Sequence, residues 1–426
     1  MGRRNKQRKN AAMLDSDDDI STVSSSSSLA RSDRMSASGV ETYVDDFHFE
    51  KDSLLERALD ALYEKRASTR EKALASIIDA FSSSLQYQFV EKNFATLLHQ
   101  CLNCVKKGSS KEITLACHSI GLLGLTVGYG ENAREMVEES VTPLTQALKT
   151  TSDPSRVIAL VECLAILNFV CGNDTVETEQ SMLAMWHIVR PKLGSNVVLV
   201  KPSNAVIVAV VSSWTLLSTS MEGSSTWQEA LSFFSNLLEK DDRSCRIAAG
   251  EALAVIFETL LLENATPLLN GWKNKILSQV SILAAEAGGK GSAKKELTNQ
   301  RSFFKDVLEF LESGYSPDVT VKVGGDSLSV STWRHLTQLN FLKRFLGGGF
   351  IKHVQENEFI QDVFGFEPKK RAGRGGEPGS VKQRSPYSAM RKARTQHLNR
   401  QRMLTECINI GHFAVNSRDN DSLDCR

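Results

Sequence analysis

Residues 248–262 read AAGEALAVIFETLLL, small or apolar at every position except Glu251, Glu258 and Thr259. A helix of that composition has no face to show to water, so neighbouring elements must enclose it. Ala248 and Ala252 lie four residues apart, on one face, where small side chains let a second helix come close. The same pairing recurs at Ala73/Ile77, Ala116/Ile120, Ala159/Cys163 and Ala205/Ala209, with successive spacings of 43, 43, 46 and 43 residues up to Ala248. Each pair lies in a strongly apolar stretch such as Leu160–Val170. Amphipathic segments separate them: Val90–Val105, Asn132–Leu148, Thr226–Leu238 and Pro267–Leu283. A period near 43 residues, with enclosed helices alternating with half-exposed ones, is the pattern of armadillo or HEAT stacking. The competing reading is an irregular bundle with accidental spacing. No strand-forming run interrupts the region, which disfavours α/β classes.

The texture changes after residue 287. Gly288, Gly289, Lys290, Gly291, Ser292, Lys294 and Lys295 read as a linker. Helices are expected over Asn299–Glu312, Thr332–Leu346 and Phe350–Val363. Val321 and Val323, the turn Gly324-Gly325-Asp326, then Leu328 and Val330, give a β-hairpin. The expected fold is an all-α armadillo/HEAT-like helical solenoid with a small C-terminal α+β domain and disordered termini. Its divisions are a basic, acidic and Ser-rich arm (1–45), the repeat domain (46–287), the linker (288–298), a separate small domain (299–366) and a basic Gly/Arg-containing tail (367–426).

The 426-residue chain has a formal net charge of +1, but the charge is unevenly spread. Residues 1–10 hold five basic residues and no acid, and residues 369–402 hold eleven basic residues against Glu377. An acidic body with basic ends attracts anions at each end. In the arm, Arg3, Arg4, Lys6, Arg8 and Lys9 fit a nuclear-localisation or nucleic-acid-binding segment, or equally a solvated terminus. In the tail, Lys369, Lys370, Arg371, Arg374, Lys382, Arg384, Arg391, Lys392, Arg394, Arg400 and Arg402 have the density that phosphate backbones reward through counterion release. A solubilising tail, or one that binds acidic protein, are the alternatives. Ala205–Leu217 is too short to span a bilayer, no secretory signal opens the chain, and no membrane partner is expected.

The residues that could carry chemistry read better as structure. Cys101-x-x-Cys104 with His99, Cys117 and His118 loosely resembles a zinc site. Both halves lie in apolar helices, however, so the thiols should face a core. Gly121-x-x-Gly124 and Gly128-x-Gly130 follow no strand and lack the Lys-Ser/Thr of a phosphate loop. No catalytic residue, cofactor or metal is expected. Six of the eight cysteines sit in or beside apolar helical patterns, as reduced thiols do.

Ser331-Thr332-Trp333, Phe345-Leu346-Gly347-Gly348-Gly349-Phe350 and above all His353–Phe364 (HVQENEFIQDVF) resemble the interferon-related developmental regulator family, over about residues 40–366. The resemblance implies an armadillo-like protein acting in transcriptional co-regulation, or one that binds idle ribosomes. The tail after Glu367 lies outside it. Within His353–Phe364, Val354, Phe359 or Ile360 and Val363 should face inward, leaving Gln355, Glu356 and Glu358 as framing or as a partner-binding face. The expectation is a non-catalytic regulatory scaffold in nucleus or cytoplasm. It would bind protein or ribonucleoprotein complexes and touch RNA or the ribosome through its tail. The alternative is a protein-only adaptor, such as a transport or assembly factor.

Overall fold

A computed structural model describes residues 54–172, 175–190, 201–221, 227–262, 266–286 and 294–368. After a helix at 54–61 (α1), the repeat helices are α2 (Ala67–Ser83), α3 (Tyr87–Lys107), α4 (Ser110–Val127), α5 (Glu131–Thr150), α6 (Pro154–Cys171), α7 (Thr175–Val189), α8 (Asn204–Ser218), α9 (Trp227–Leu238), α10 (Arg243–Leu262), α11 (Thr266–Ala285) and α12 (Lys294–Ser313). They pack in tandem as two ladders. The even-numbered helices from α2 to α12 stack on one another, and α3, α5, α7, α9 and α11 back them pair by pair.

The starts of the inner helices are set locally. Ser109 and Glu112 form a capping box on α4, with reciprocal bonds of 3.1 and 2.7 Å. Asp153 caps α6 ahead of Pro154, whose missing N–H is no loss at the first helical position. Ser203 caps α8. Each expected small-residue pair falls on its own even helix, which is what stacking of 43-residue units requires. The fit is uneven, since Ala73, Ala116 and Ala248 are buried while Ala159 is half-buried and Ala205 exposed. Ala205 sits in the first turn of α8, before that helix enters the stack. Helix α6 has the length and mean hydropathy (1.7) to cross a membrane, and it lies inside the ladder between α4 and α8.

The C-terminal elements are β1 (Val319–Val323), β2 (Asp326–Val330), α13 (Trp333–Leu346), a 3₁₀ turn at Gly347–Gly349, α14 (Phe350–Glu356) and α15 (Glu358–Phe364). The expected hairpin is present, antiparallel, with Val323 opposite Asp326 across the Gly-Gly turn. Gly324 supplies the positive φ (63°) that this turn demands. Two expectations need correction. The helix foreseen over Phe350–Val363 is two helices broken at Asn357, whose side chain accepts from Phe359 N and Ile360 N and starts α15. Residues 299–366 are also not a separate unit, because they belong to the same compact body as the repeats. Helix α12 continues the inner ladder, and α13 packs on α10 and α8. The apolar flank of the inner helices needs a cover, and these residues provide it. The arm and tail expected to be disordered lie outside the described residues.

The inner ladder sets a test of this architecture. Ala116 and Ala252 are fully buried where neighbouring inner helices meet. Replacing either with Arg places an unpaired charge in a close-packed site and should cost about 3–5 kcal/mol or prevent folding. Ala205→Arg, at an exposed position, should leave the thermal midpoint near wild type. Thermal denaturation followed by circular dichroism checks both, and equal stability for Ala116→Arg and Ala205→Arg would contradict the stacking.

Candidate functional site

Helices α13 to α15 form a returning segment laid across the inner ladder. It begins at the end of α10, where the Glu258 carboxylate accepts the backbone N–H groups of Trp333 and Arg334, each at 2.9 Å. That carboxylate stands in for the missing acceptors at the start of α13. Burial pushes the Glu258 pKa up, against the opposing pull of these N–H bonds and of Arg334. Arg334 also donates to the Met221 carbonyl and the Thr259 hydroxyl, both at 3.3 Å. Gln338 donates to Thr219 at the end of α8 at 2.9 Å. Further along, Asn340 reaches Glu251 at 3.1 Å and Arg344 reaches Glu162 on α6 at 3.2 Å.

The segment then crosses α4. Phe345 stacks on His118 with ring centroids 4.5 Å apart. Its ring occupies a notch at Gly121, where an added Cβ would lie 2.5 Å from Phe345 Cζ. At the far end the His353 ring nitrogen Nε2 sits 2.9 Å from the carbonyl oxygen of Phe81, one of the last carbonyls of α2. A carbonyl can only accept, so Nε2 carries the proton and the neutral ring leaves Nδ1 bare. Burial lowers the His353 pKa, outweighing the Phe81 bond and Glu356, which raise it. The chain turns at Asn357, whose Nδ2 donates to the Leu125 carbonyl at the end of α4 at 2.7 Å. Phe359 packs against Tyr129 and Phe169.

The inward-facing side of His353–Phe364 comes out as expected. Val354, Phe359, Ile360 and Val363 are buried, Glu356 and Glu358 are exposed, and Gln355 is half-buried with its carbonyl accepting from Gln361. Glu356 forms an ion pair with Lys352. Tyr87 lies near both acids, and its hydroxyl is pushed up to about 12 by burial, then by Glu358 and Glu356. The arm residues and the tail residues from Lys369 to Arg402 lie outside the described residues.

Cys101, Cys104 and Cys117 are buried, and burial raises the pKa of Cys101 and of Cys104. A raised thiol pKa opposes the thiolate that a metal or a nucleophile needs. Among the described residues no group of three or more His, Cys, Asp or Glu is placed to hold a metal ion. Glu258, Arg334, His353 and Asn357 escaped notice as a set. Their partners lie 75 to 272 residues away in sequence, so no local pattern announces them.

Two family profiles match. One, described as interferon-related developmental regulator, covers residues 20–312, and the other, described as interferon-related protein conserved region, covers residues 357–406. The chain belongs to the interferon-related developmental regulator family. It is 28% identical to interferon-related developmental regulator 1 of Sus scrofa over 323 residues, covering 74% of this chain and 71% of the relative. It is 27% identical to the Homo sapiens regulator 1 over 323 residues, with the same shares. Against interferon-related developmental regulator 2 of Mus musculus it is 28% identical over 318 residues, 73% of this chain and 72% of the relative. Membership makes the chain a regulatory protein of this type. The conserved region opens at Asn357, where α15 is capped onto α4, and runs to residue 406. Much of the basic tail expected to fall outside the resemblance therefore falls within the family match.

The neutral, buried state of His353 predicts a pH dependence. Its folded pKa is lowered, so the unfolded chain takes up the proton first and stability falls as pH drops below about 6.5, the ordinary histidine value. His353→Gln keeps a donor but cannot titrate. It should cost about 1–2 kcal/mol at pH 8 and flatten the fall in stability between pH 7 and 5. Urea denaturation across that range is the measurement. An unchanged pH slope would show that His353 is not held neutral against α2.

Proposed function

We propose that this regulator is a non-catalytic scaffold that binds protein or ribonucleoprotein partners, with the basic tail gripping nucleic acid. The supporting observation is how the array uses its sequestered charges, since each joins two elements rather than opening onto a cavity. Glu112 accepts from Arg70 at 2.6 Å, linking α4 to α2. Arg246 donates to Gln300 at 2.9 Å and to Glu286 at 3.2 Å, linking α10 to α12 and the end of α11. Glu258 and Glu162 hold the returning segment. Two cavities of about 340 and 240 Å³ are lined by neither His nor Cys. Such an array presents surface, and its helices keep their titratable groups for holding one another. The setting we propose, which the resemblance to the family implies, is transcriptional co-regulation or ribosome binding, in nucleus or cytoplasm.

The tail makes the nucleic-acid part testable. The basic residues of 369–402 are spread through a Gly-containing sequence, so phosphate contacts should dominate. With about five phosphates neutralised on single-stranded RNA, log affinity should fall with log salt at a slope of about −3 to −4. Replacing Arg391, Lys392 and Arg394 with Ala should weaken binding to all sequences alike and flatten that slope by about 2. A salt titration of labelled RNA against the full chain reads both values. Equal affinity and slope for the two proteins would move the reading to a protein-only adaptor. Sedimentation of cell extract on a sucrose gradient at physiological salt separates the two settings, because ribosome binding requires co-migration with ribosomal particles.

A further inference from the structure

We propose that the groove between α1 and α2 is filled by the segment of chain that leads into α1, with Phe49 in the groove and Lys51 paired with Asp79. The contact lies at the first rung of the inner ladder and does not rest on the nucleic-acid reading of the tail.

The groove holds about 340 Å³. One wall is α2, through Ser76, Asp79, Ala80 and Ser83. Their spacing of three and four residues makes them one face of the helix, about 10 Å long. The other wall is the start of α1, through Leu54 and Leu55. Helix α2 has α4 as its neighbour in the inner ladder and no inner helix before it. The end of a repeat array needs a cover that is polar outside. Helix α1 gives only part of it, since Leu54 is left 59% exposed.

The polar groups of the groove are largely spent on α2 itself. The Ser76 hydroxyl donates to the Lys72 carbonyl at 3.1 Å and the Ser83 hydroxyl to the Ala80 carbonyl at 3.0 Å. Gln86, just past α2, donates to the same Ala80 carbonyl at 3.2 Å. What remains is the exposed carboxylate of Asp79, which has no partner among the described residues. The groove therefore offers an apolar lining of Leu54, Leu55 and Ala80, with one unanswered negative charge midway along the α2 face.

Sequence and chain length choose the occupant. Residues 49–53 read FEKDS and run directly into Leu54, which itself lines the groove. Ser53 and Glu56 have the spacing of a capping box, and an N-cap residue takes extended backbone angles. The segment should therefore reach α1 extended, with alternate side chains on one side. Phe49 and Lys51 then face the groove together, while Glu50 and Asp52 face water and supply the polar outside. At about 3.3 Å per residue, three extended residues match the length of the α2 face. Phe49 stands five residues before Leu54. A tether that short holds it at an effective concentration on the order of millimolar, which a free partner would have to exceed. The family profile begins at residue 20 and so runs through this segment.

The test uses the full chain with Phe49→benzoylphenylalanine, a photo-reactive aromatic. Irradiation should link position 49 to residues 76–83 of the same chain, read by mass spectrometry after proteolysis. In separate variants, hydrogen exchange follows the α1 amides. Phe49→Ala should speed them about tenfold or more and leave α6 and α10 unchanged. Lys51→Glu should speed them about threefold, and adding Asp79→Lys to that variant should restore them. A general loosening of the fold would not be repaired by the second charge change. Links from position 49 to any other part of the chain would overturn the proposal, as would α1 exchange that Phe49→Ala leaves unchanged. Links between two chains would overturn it too, assigning the groove to a second copy.

Discussion

A buried backbone carbonyl needs a donor, and an apolar helix flank needs a cover. The inner ladder has both needs on the side that the outer helices do not reach, and the rest of the molecule is arranged around meeting them. Helices α2, α4 and α8 end with carbonyls or hydroxyls that face the returning segment. His353, Asn357, Arg334 and Gln338 supply the donors. Trp333, Phe345, Phe350 and Phe359 supply the apolar cover. Helix C-termini are electron-rich, so the guanidinium of Arg334 also suits its place electrostatically. Because the donors come from α13 to α15, the segment cannot lift away without leaving buried acceptors bare.

That arrangement bears on function. In an open helical array the ladder face is a surface on which a ligand can lie. Here the same chain fills it from α10 to α2, with Arg344 on α6 and Phe345 on α4 between. The surfaces left uncovered are the outer helices, the hairpin, and the exposed acids Glu356 and Glu358 at the end of the segment. This fits the scaffold proposed above, in which buried groups hold the exposed surface in shape.

Much of this was legible in the sequence. The pairs at Ala116/Ile120 and Ala248/Ala252 located inner helices because close stacking needs small residues at a fixed period. Gly324-Gly325 located the hairpin because only glycine adopts its first turn position cheaply. Ala205 misled because a small residue in a helix's first turn looks the same as one in a stack. The cover on the ladder was not legible. An all-round apolar pattern says that a helix is enclosed but not by what. Glu258 reads as a blemish in an apolar run until Trp333, 75 residues on, brings its N–H to it. Asn357 reads as one more polar residue on a helix until its amide is seen capping α15 and bonding α4.

The central claim is that α13 to α15 and the inner ladder are one cooperative structure. Native-state hydrogen exchange on the full chain tests it most directly, because each amide reports the free energy of the opening that exposes it. The slowest amides of α13 and α15 should open with the same free energy as those of α4, α6 and α10, and should respond together to low concentrations of denaturant. Exchange of α13 to α15 at a distinctly lower free energy, with the inner helices still protected, would show a detachable segment and contradict the account.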